Sequence, residues 1–315
     1  MPTHFRAHLA LLAVGLIYGA NYTIAKDLMP DVIQPYGFIL LRVLGATALF
    51  WMMGMLVWKR ERIAWEDVPR FLICAFFGIA TNQLMFFKGL NLTTPINAAI
   101  IMTTNPILVM LVAAAILRER ITGKKALGVV IGLSGALLLL LTRGGVSFES
   151  DTFVGDLLIF VNATSYGLYL VLVKPLMRKY APTTVIKYVF TLGIALVMLY
   201  PGSWTDLTPG TSVVEFSQVD WLGLDVPTYA ALGFVVVFTT FFAYLLNIYA
   251  LNIVSPSVVS MYIYLQPAIA AGFALALGKD TLDVYKVAST LLICFGVFLV
   301  SQKPKPAIPP KPAAD

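Results

Sequence analysis

Residues 90–119 read LNLTTPINAAIIMTTNPILVMLVAAAILRE, and residues 251–280 read LNIVSPSVVSMYIYLQPAIAAGFALALGKD. At a constant offset of 161, Leu90-Asn91, Pro95, Asn105-Pro106 and Glu119 meet Leu251-Asn252, Pro256, Gln266-Pro267 and Asp280, and Gly135 meets Gly296 just beyond. A second pair of windows repeats at an offset of 148, with Tyr18-Gly19, Lys26, Leu28 and Met29 facing Tyr166-Gly167, Lys174, Leu176 and Met177. Self-similarity at a fixed spacing marks a duplicated structural unit. The second half of the chain is read as a diverged copy of the first.

The chain has 315 residues, 59% apolar and only 12% charged, with a mean hydropathy of +0.85. A soluble domain carries about twice that charged fraction. A helix needs about 20 mostly apolar residues to cross the hydrocarbon core. Cutting at clusters of charge, Pro and Gly gives ten spans, near 9–26, 36–58, 70–88, 96–117, 125–142, 154–173, 184–201, 228–250, 256–277 and 285–301. The expected fold is all-α and integral to the membrane, with ten transmembrane helices in two five-helix repeats, 1–145 and 146–301. The tail 302–315, with its KPKPAIPPKP run, is expected to be disordered or extended on the cytoplasmic side.

Five spans per copy is an odd number, so the second copy enters the bilayer from the opposite side and the repeat is inverted. Inverted repeats can expose one central site alternately to each side, which favours a carrier of a small solute. Lys and Arg collect on the cytoplasmic side of membrane proteins. With the N-terminus inside, sixteen of them fall on that side and five on the other, with Arg42 inside the second span. Both termini are therefore expected in the cytoplasm and the protein in the plasma membrane. The long loop near 202–227, with Asp206, Glu215, Asp220 and Asp225 and no Lys or Arg, is expected outside.

The net charge of +6 resides in loops between apolar runs and reads as a topology signal, so no nucleic-acid partner is expected. Cys74 and Cys294 each lie within an apolar run, with no disulfide framework or metal set around them, and no cofactor is expected. The first span follows a short basic start but lacks an A-x-A cleavage pattern, and Tyr18, Asn21 and Lys26 interrupt it. It is read as a membrane helix rather than a signal peptide.

The run GLNLTTPINAAIIMTTNPILVMLVAAAILRERIT followed by GVVIGLSGALLLL, together with YGANYTIAK in the first span and Arg42 in the second, resembles the EamA-type branch of the drug/metabolite transporter superfamily. The resemblance extends over nearly all of 9–301 and recurs, more weakly, in the second half. It implies a ten-helix plasma-membrane carrier for metabolites, often an exporter of amino acids or related compounds.

All the acidic residues fall in loops or at span ends, so no carboxylate is placed to relay protons at mid-bilayer. The uncharged polar residues are more informative. Asn162, Tyr166 and Tyr169 share one helical stripe, and Asn21 lies in its repeat mate. Asn82 and Gln83 lie in the third span; Gln83 maps onto Tyr244, which shares a face with Asn247. Asn105-Pro106 and Gln266-Pro267 are equivalent, with Tyr262 one turn before Gln266. These residues, with Lys88, are the candidate substrate-binding set of a central cavity. The alternatives are interhelical hydrogen-bond bridges for the amides, snorkelling for Lys88, and snorkelling, capping or an anionic ligand for Arg42.

Gly15-x-x-x-Gly19 and Gly128-x-x-x-Gly132 let helices approach closely; packing within a monomer is expected, with dimerisation as the alternative. A passive channel or lipid scramblase is the rival reading. A membrane-embedded enzyme has no support, since H-E-x-x-H, G-x-S-x-G and a buried carboxylate pair are all missing from the sequence. The topology is testable: a single cysteine introduced in the 202–227 loop should react with an impermeant thiol reagent applied to intact cells. Reaction only after permeabilisation would reverse the orientation.

Overall fold

The computed structural model describes residues 3–57, 61–93, 98, 101–142, 153–200, 211–266, 268–269 and 284–302. Every regular element among them is helical. The helices are α1 (Thr3–Leu28) and α2 (Pro35–Val57), α3 (Trp65–Leu92), α4 (Asn105–Leu117) and α5 (Gly123–Thr142). The second half supplies α6 (Phe153–Leu172) and α7 (Pro182–Met198), α8 (Val226–Ile253), α9 (Pro256–Met261) and α10 (Val284–Ser301).

Four helical stretches, Pro35–Met55, Trp65–Leu92, Phe153–Lys179 and Val226–Ile253, are long and apolar enough to cross a membrane. Asn105–Leu117, Pro182–Met198 and Val287–Ser301 are shorter and apolar. The chain is an all-α, multi-pass membrane protein. Helix starts follow from local chemistry. Proline, which has no N–H to leave unsatisfied, lies in the first turn of α4, α7, α8 and α9. The Asp225 side chain accepts from Thr228 N at 3.1 Å to cap α8, as expected of an N-cap carboxylate.

Helices α3 and α8 are alike in detail. Both are 28 residues long. Each contains a π-helical segment, Phe76–Thr81 in α3 and Val235–Phe242 in α8. The stretches that follow, Asn82–Leu92 and Ala243–Ile253, begin and end at the offset of 161. Thr93 and Val254 terminate them in extended conformations, with φ of −121° and −112°. Packing follows the same relation: α1 lies along α8 while α3 lies along α6, and α2 pairs with α7, α4 with α9 and α5 with α10. Exchanging the halves leaves this set of pairings unchanged.

The fourth expected span is not one continuous helix. Ile101 and Met102 are helical, a turn follows at Thr103–Thr104, and α4 restarts at Asn105. Pro106 has no N–H and its ring crowds the preceding turn, so the helix breaks there. In the ninth span, α9 tightens into a 3-10 turn at Tyr262–Tyr264; Pro267, residues 270–277 of that span and the tail from 303 lie outside the described residues.

Within the expected external loop, a short helix, Thr211–Ser217, packs across the start of α2. Glu215 Oε2 accepts from the backbone N–H of Tyr36 and Gly37 at 2.7 and 2.8 Å, so a carboxylate sits on the positive end of α2. Burial nonetheless holds the Glu215 carboxyl above its usual range. A Cβ on Gly37 would lie 2.8 Å from Phe216 N, so this approach requires glycine.

The α5–α10 seam is made of glycine. A Cβ on Gly296 would lie 2.6 Å from Gly128 O and 2.7 Å from Gly132 N, and one on Gly128 would lie 2.8 Å from Gly296 O. The Gly128-x-x-x-Gly132 motif is thus used inside the chain. Cys74 is buried in α3, while Cys294 is exposed on α10, beside the outward-facing Leu291, Leu292, Phe295 and Phe298. Gly296→Ala should force the helices apart, lowering stability by about 1–3 kcal/mol as overpacking does. Gly123→Ala, with nothing within 4 Å of the new Cβ, should be neutral. Thermal unfolding of the purified variants in detergent checks both.

Candidate functional site

Helices α1, α2, α3, α6, α8 and α9, with Met102 ahead of α4, surround one cavity of about 870 Å³, a volume that includes its part open to solvent. Nine residues of the expected set line it: Asn21, Asn82, Gln83, Asn162, Tyr166, Tyr244, Asn247, Tyr262 and Gln266. Apolar walls come from Leu11, Val14, Phe86, Phe87, Val259 and Ile263. No Asp or Glu is among the described lining residues.

The π-helical segment of α3 is the organising element. Its wide turns free backbone carbonyls that must find donors inside the bundle. Ser165 Oγ donates to Phe77 O at 2.6 Å and Asn162 Nδ2 donates to Asn82 O at 2.6 Å, both from α6. In α8, Thr240 Oγ1 donates to its own helix at Val235 O, at 2.9 Å. Gln83 Nε2 then reaches Tyr244 Oη at 3.4 Å, and Tyr244 Oη reaches Asn82 Oδ1 at 3.4 Å. Gln83 and Tyr244 are repeat mates, so equivalent positions of the two halves touch each other in the cavity. Three amide oxygens here, on Asn21, Gln83 and Asn162, are buried without a hydrogen-bond partner among the described residues.

The other three expected residues lie elsewhere. Asn105 is fully buried, and its Nδ2 donates to Ala163 O at 2.6 Å, a bridge from α4 to α6. Tyr169 is buried one turn beyond Tyr166, against Gly78 of α3, where a Cβ would lie 2.4 Å from its ring. Lys88 is half-buried at the far end of α3, with its Nζ 5.7 Å from the Tyr36 ring centroid and its charge acting on Glu215. It belongs to the joint between α2 and the Thr211–Ser217 helix.

Three polar or charged lining residues stand outside the expected set: Tyr18, Arg42 and the buried Thr239. Tyr18 is the repeat mate of Tyr166 and lines the same cavity, so the offset of 148 was the signal for it. Arg42, for which snorkelling or packing is the simplest sequence reading, is 4% exposed and lines the cavity. Its Nε donates to Thr240 Oγ1 at 3.0 Å, and its guanidinium carbon sits 4.7 Å from the Phe87 ring centroid, a cation–π contact. At the rim, His8 Nδ1 and Tyr262 Oη are 2.7 Å apart.

The EamA-like transporter family model matches residues 5–141 and 153–302. The chain belongs to the EamA-like transporter family. Among the relatives it is similar to, an uncharacterized transporter of Bacillus subtilis, YyaM, is 24% identical over 305 residues, covering 95% of this chain and 94% of that protein. An uncharacterized transporter of Archaeoglobus fulgidus is 26% identical over 301 residues, covering 95% and 98%. A crystal structure at 16% identity superposes with a TM-score of 0.73 over 93% of this chain and 96% of that one, a likeness of fold. EamA-like membership makes the chain a small-molecule transporter rather than an enzyme. Among the described residues no group of His, Cys, Asp and Glu could hold a metal ion.

The two amide environments predict different costs. Asn105→Ala removes a buried interhelical hydrogen bond and should destabilise by about 1 kcal/mol. Asn21→Ala removes a side chain whose buried oxygen has no described partner and should cost less than about 0.5 kcal/mol, since no hydrogen bond is lost there. Melting temperatures in one detergent decide it, and equal losses would show that Asn21 also serves as a bridge.

Proposed function

We propose that this EamA-like chain is an alternating-access carrier, exporting an amino acid or a related small metabolite across the plasma membrane. Its ten spans form two inverted five-helix repeats, 1–145 and 146–301, with both termini cytoplasmic. The observation that carries the reading is the meeting of Gln83 with its repeat mate Tyr244 inside the cavity. A two-fold relation passing through the site is what two interchangeable halves require.

The lining supports a solute that is polar at one part and apolar at another. Phe86, Phe87, Val259 and Ile263 offer apolar wall. The lining amides Asn21, Asn82, Gln83, Asn162, Asn247 and Gln266 offer acceptors to a solute with N–H groups, an ammonium above all. The sixteen-to-five distribution of basic residues supports the orientation. The glycine seam within the chain supports a monomer.

The test is counterflow in proteoliposomes, with labelled amino acids, nucleosides and sugar derivatives. Trans-stimulated uptake of one class is expected, with KM raised several-fold in Gln266→Ala, which removes a lining amide, and unchanged in Lys88→Ala, which lies outside the cavity. Absence of trans-stimulation for every compound, with permeation intact, would identify a passive channel instead.

A further inference from the structure

Arg42 is a cation in an unusual position. It is 4% exposed and lines the cavity, yet its Nε bond to Thr240 is its one hydrogen bond among the described residues. The titratable groups acting on it there are Tyr18 and Tyr244, and no carboxylate is among them. The two terminal nitrogens of the guanidinium therefore carry donors that no described residue takes up, at the wall of the cavity.

We propose that Arg42 anchors an organic carboxylate on the solute, and that this makes the carrier an exchanger whose closed form is reached loaded and not empty. The proposal rests on the carrier reading above and specifies the solute and the coupling of the same site. The free edge of a guanidinium matches the two oxygens of a carboxylate in a bidentate pair. Held by Thr240 at Nε and by the Phe87 face beneath it, the group is pre-oriented. A single cation among the described lining residues suits one negative charge rather than a phosphate dianion.

Coupling follows from solvation. While the cavity is open, water can satisfy the free donors. Closure removes that water, and a buried guanidinium without a partner is costly in a bilayer-embedded core. A bound carboxylate neutralises the charge and accepts its protons. The solute thus binds the closed form far better than the empty cavity supports it, and a ligand shifts an equilibrium only through such a difference.

The test uses the purified full-length chain. In detergent, acetate, L-glutamate, phenylacetate and L-phenylalanine are compared with phenethylamine and phenylacetamide, which lack the carboxylate, by the rise in Tm. At least one carboxylate should raise Tm and neither of the other two should. Arg42→Gln should abolish the rise and Arg42→Lys, which keeps the charge but not the fork, should retain part of it. In liposomes the best of these carboxylates, radiolabelled, should enter at least about tenfold faster when the lumen holds the same compound unlabelled, as expected if unpaired charge blocks the empty return. Arg42→Gln should lose that dependence.

No rise with any of the six compounds, or a rise that Arg42→Gln leaves intact, overturns the proposal. Exchange of a neutral or cationic solute, equal in native and Arg42→Gln protein, also overturns it while the carrier reading survives. An Arg42-dependent rise in Tm without trans-stimulation removes the carrier reading and the exchange, and leaves the anion anchor. Should Arg42→Gln fail to elute as a monodisperse protein, Arg42→Lys carries both comparisons.

Discussion

Inside a bilayer, every backbone N–H and C=O must be satisfied by protein, because no water is at hand. A straight helix meets that demand alone. Helices α3 and α8 do not keep the regular ladder throughout, since each carries a π-helical segment. Ser165 and Asn162 cross from α6 to Phe77 O and Asn82 O, and Thr240 turns back to Val235 O. Asn105 meets a related need in α6, at Ala163 O. Much of the polar chemistry in the spans is committed to backbone, while Tyr18, Asn21, Gln83, Tyr244, Asn247 and Gln266 line the cavity.

The commitments also connect the halves. Thr240, occupied with its own helix, is the partner that holds Arg42 Nε. Asn82 supplies a backbone carbonyl to Asn162 and a side-chain oxygen to Tyr244. Cavity wall and helix irregularity are one construction: substituting a residue that braces a π-helical segment also moves a lining group. For this reason a loss of transport in Asn162 variants would be ambiguous, whereas Gln266, with no such bond to backbone among the described residues, reports on the cavity more directly.

The expected spans 70–88 and 228–250, cut at charge, Pro and Gly, fall within α3 and α8, whose beginnings, ends and termination residues are related by the one offset of 161. The repeat picked out cavity residues at Gln83 and Tyr244, while of the equally polar pair Asn105 and Gln266 only Gln266 lines the cavity. It served less well where depth matters. Asn162 and Tyr169 share a stripe, but seven residues at 1.5 Å each set them about 10 Å apart along the axis, which takes Tyr169 past the cavity to Gly78. Helical periodicity also loses its phase across a π-helical segment, so faces read on one side of Phe76–Thr81 do not project to the other. Arg42 was the hardest to read, because a charge two turns from a span end can snorkel or turn inward, and only its neighbours decide. Lys88, at the end of α3, has those options too and settles at a joint.

The two thiols have a practical bearing. Cys74 is enclosed in the bundle, and Cys294 sits on an outward face among leucine and phenylalanine side chains, where acyl chains would surround it. Neither position is open to a water-borne, charged maleimide. The native chain is thus close to a silent background for spin labels, fluorophores or cross-linkers placed one site at a time, and distances across the cavity can be followed without first rebuilding the protein free of cysteine.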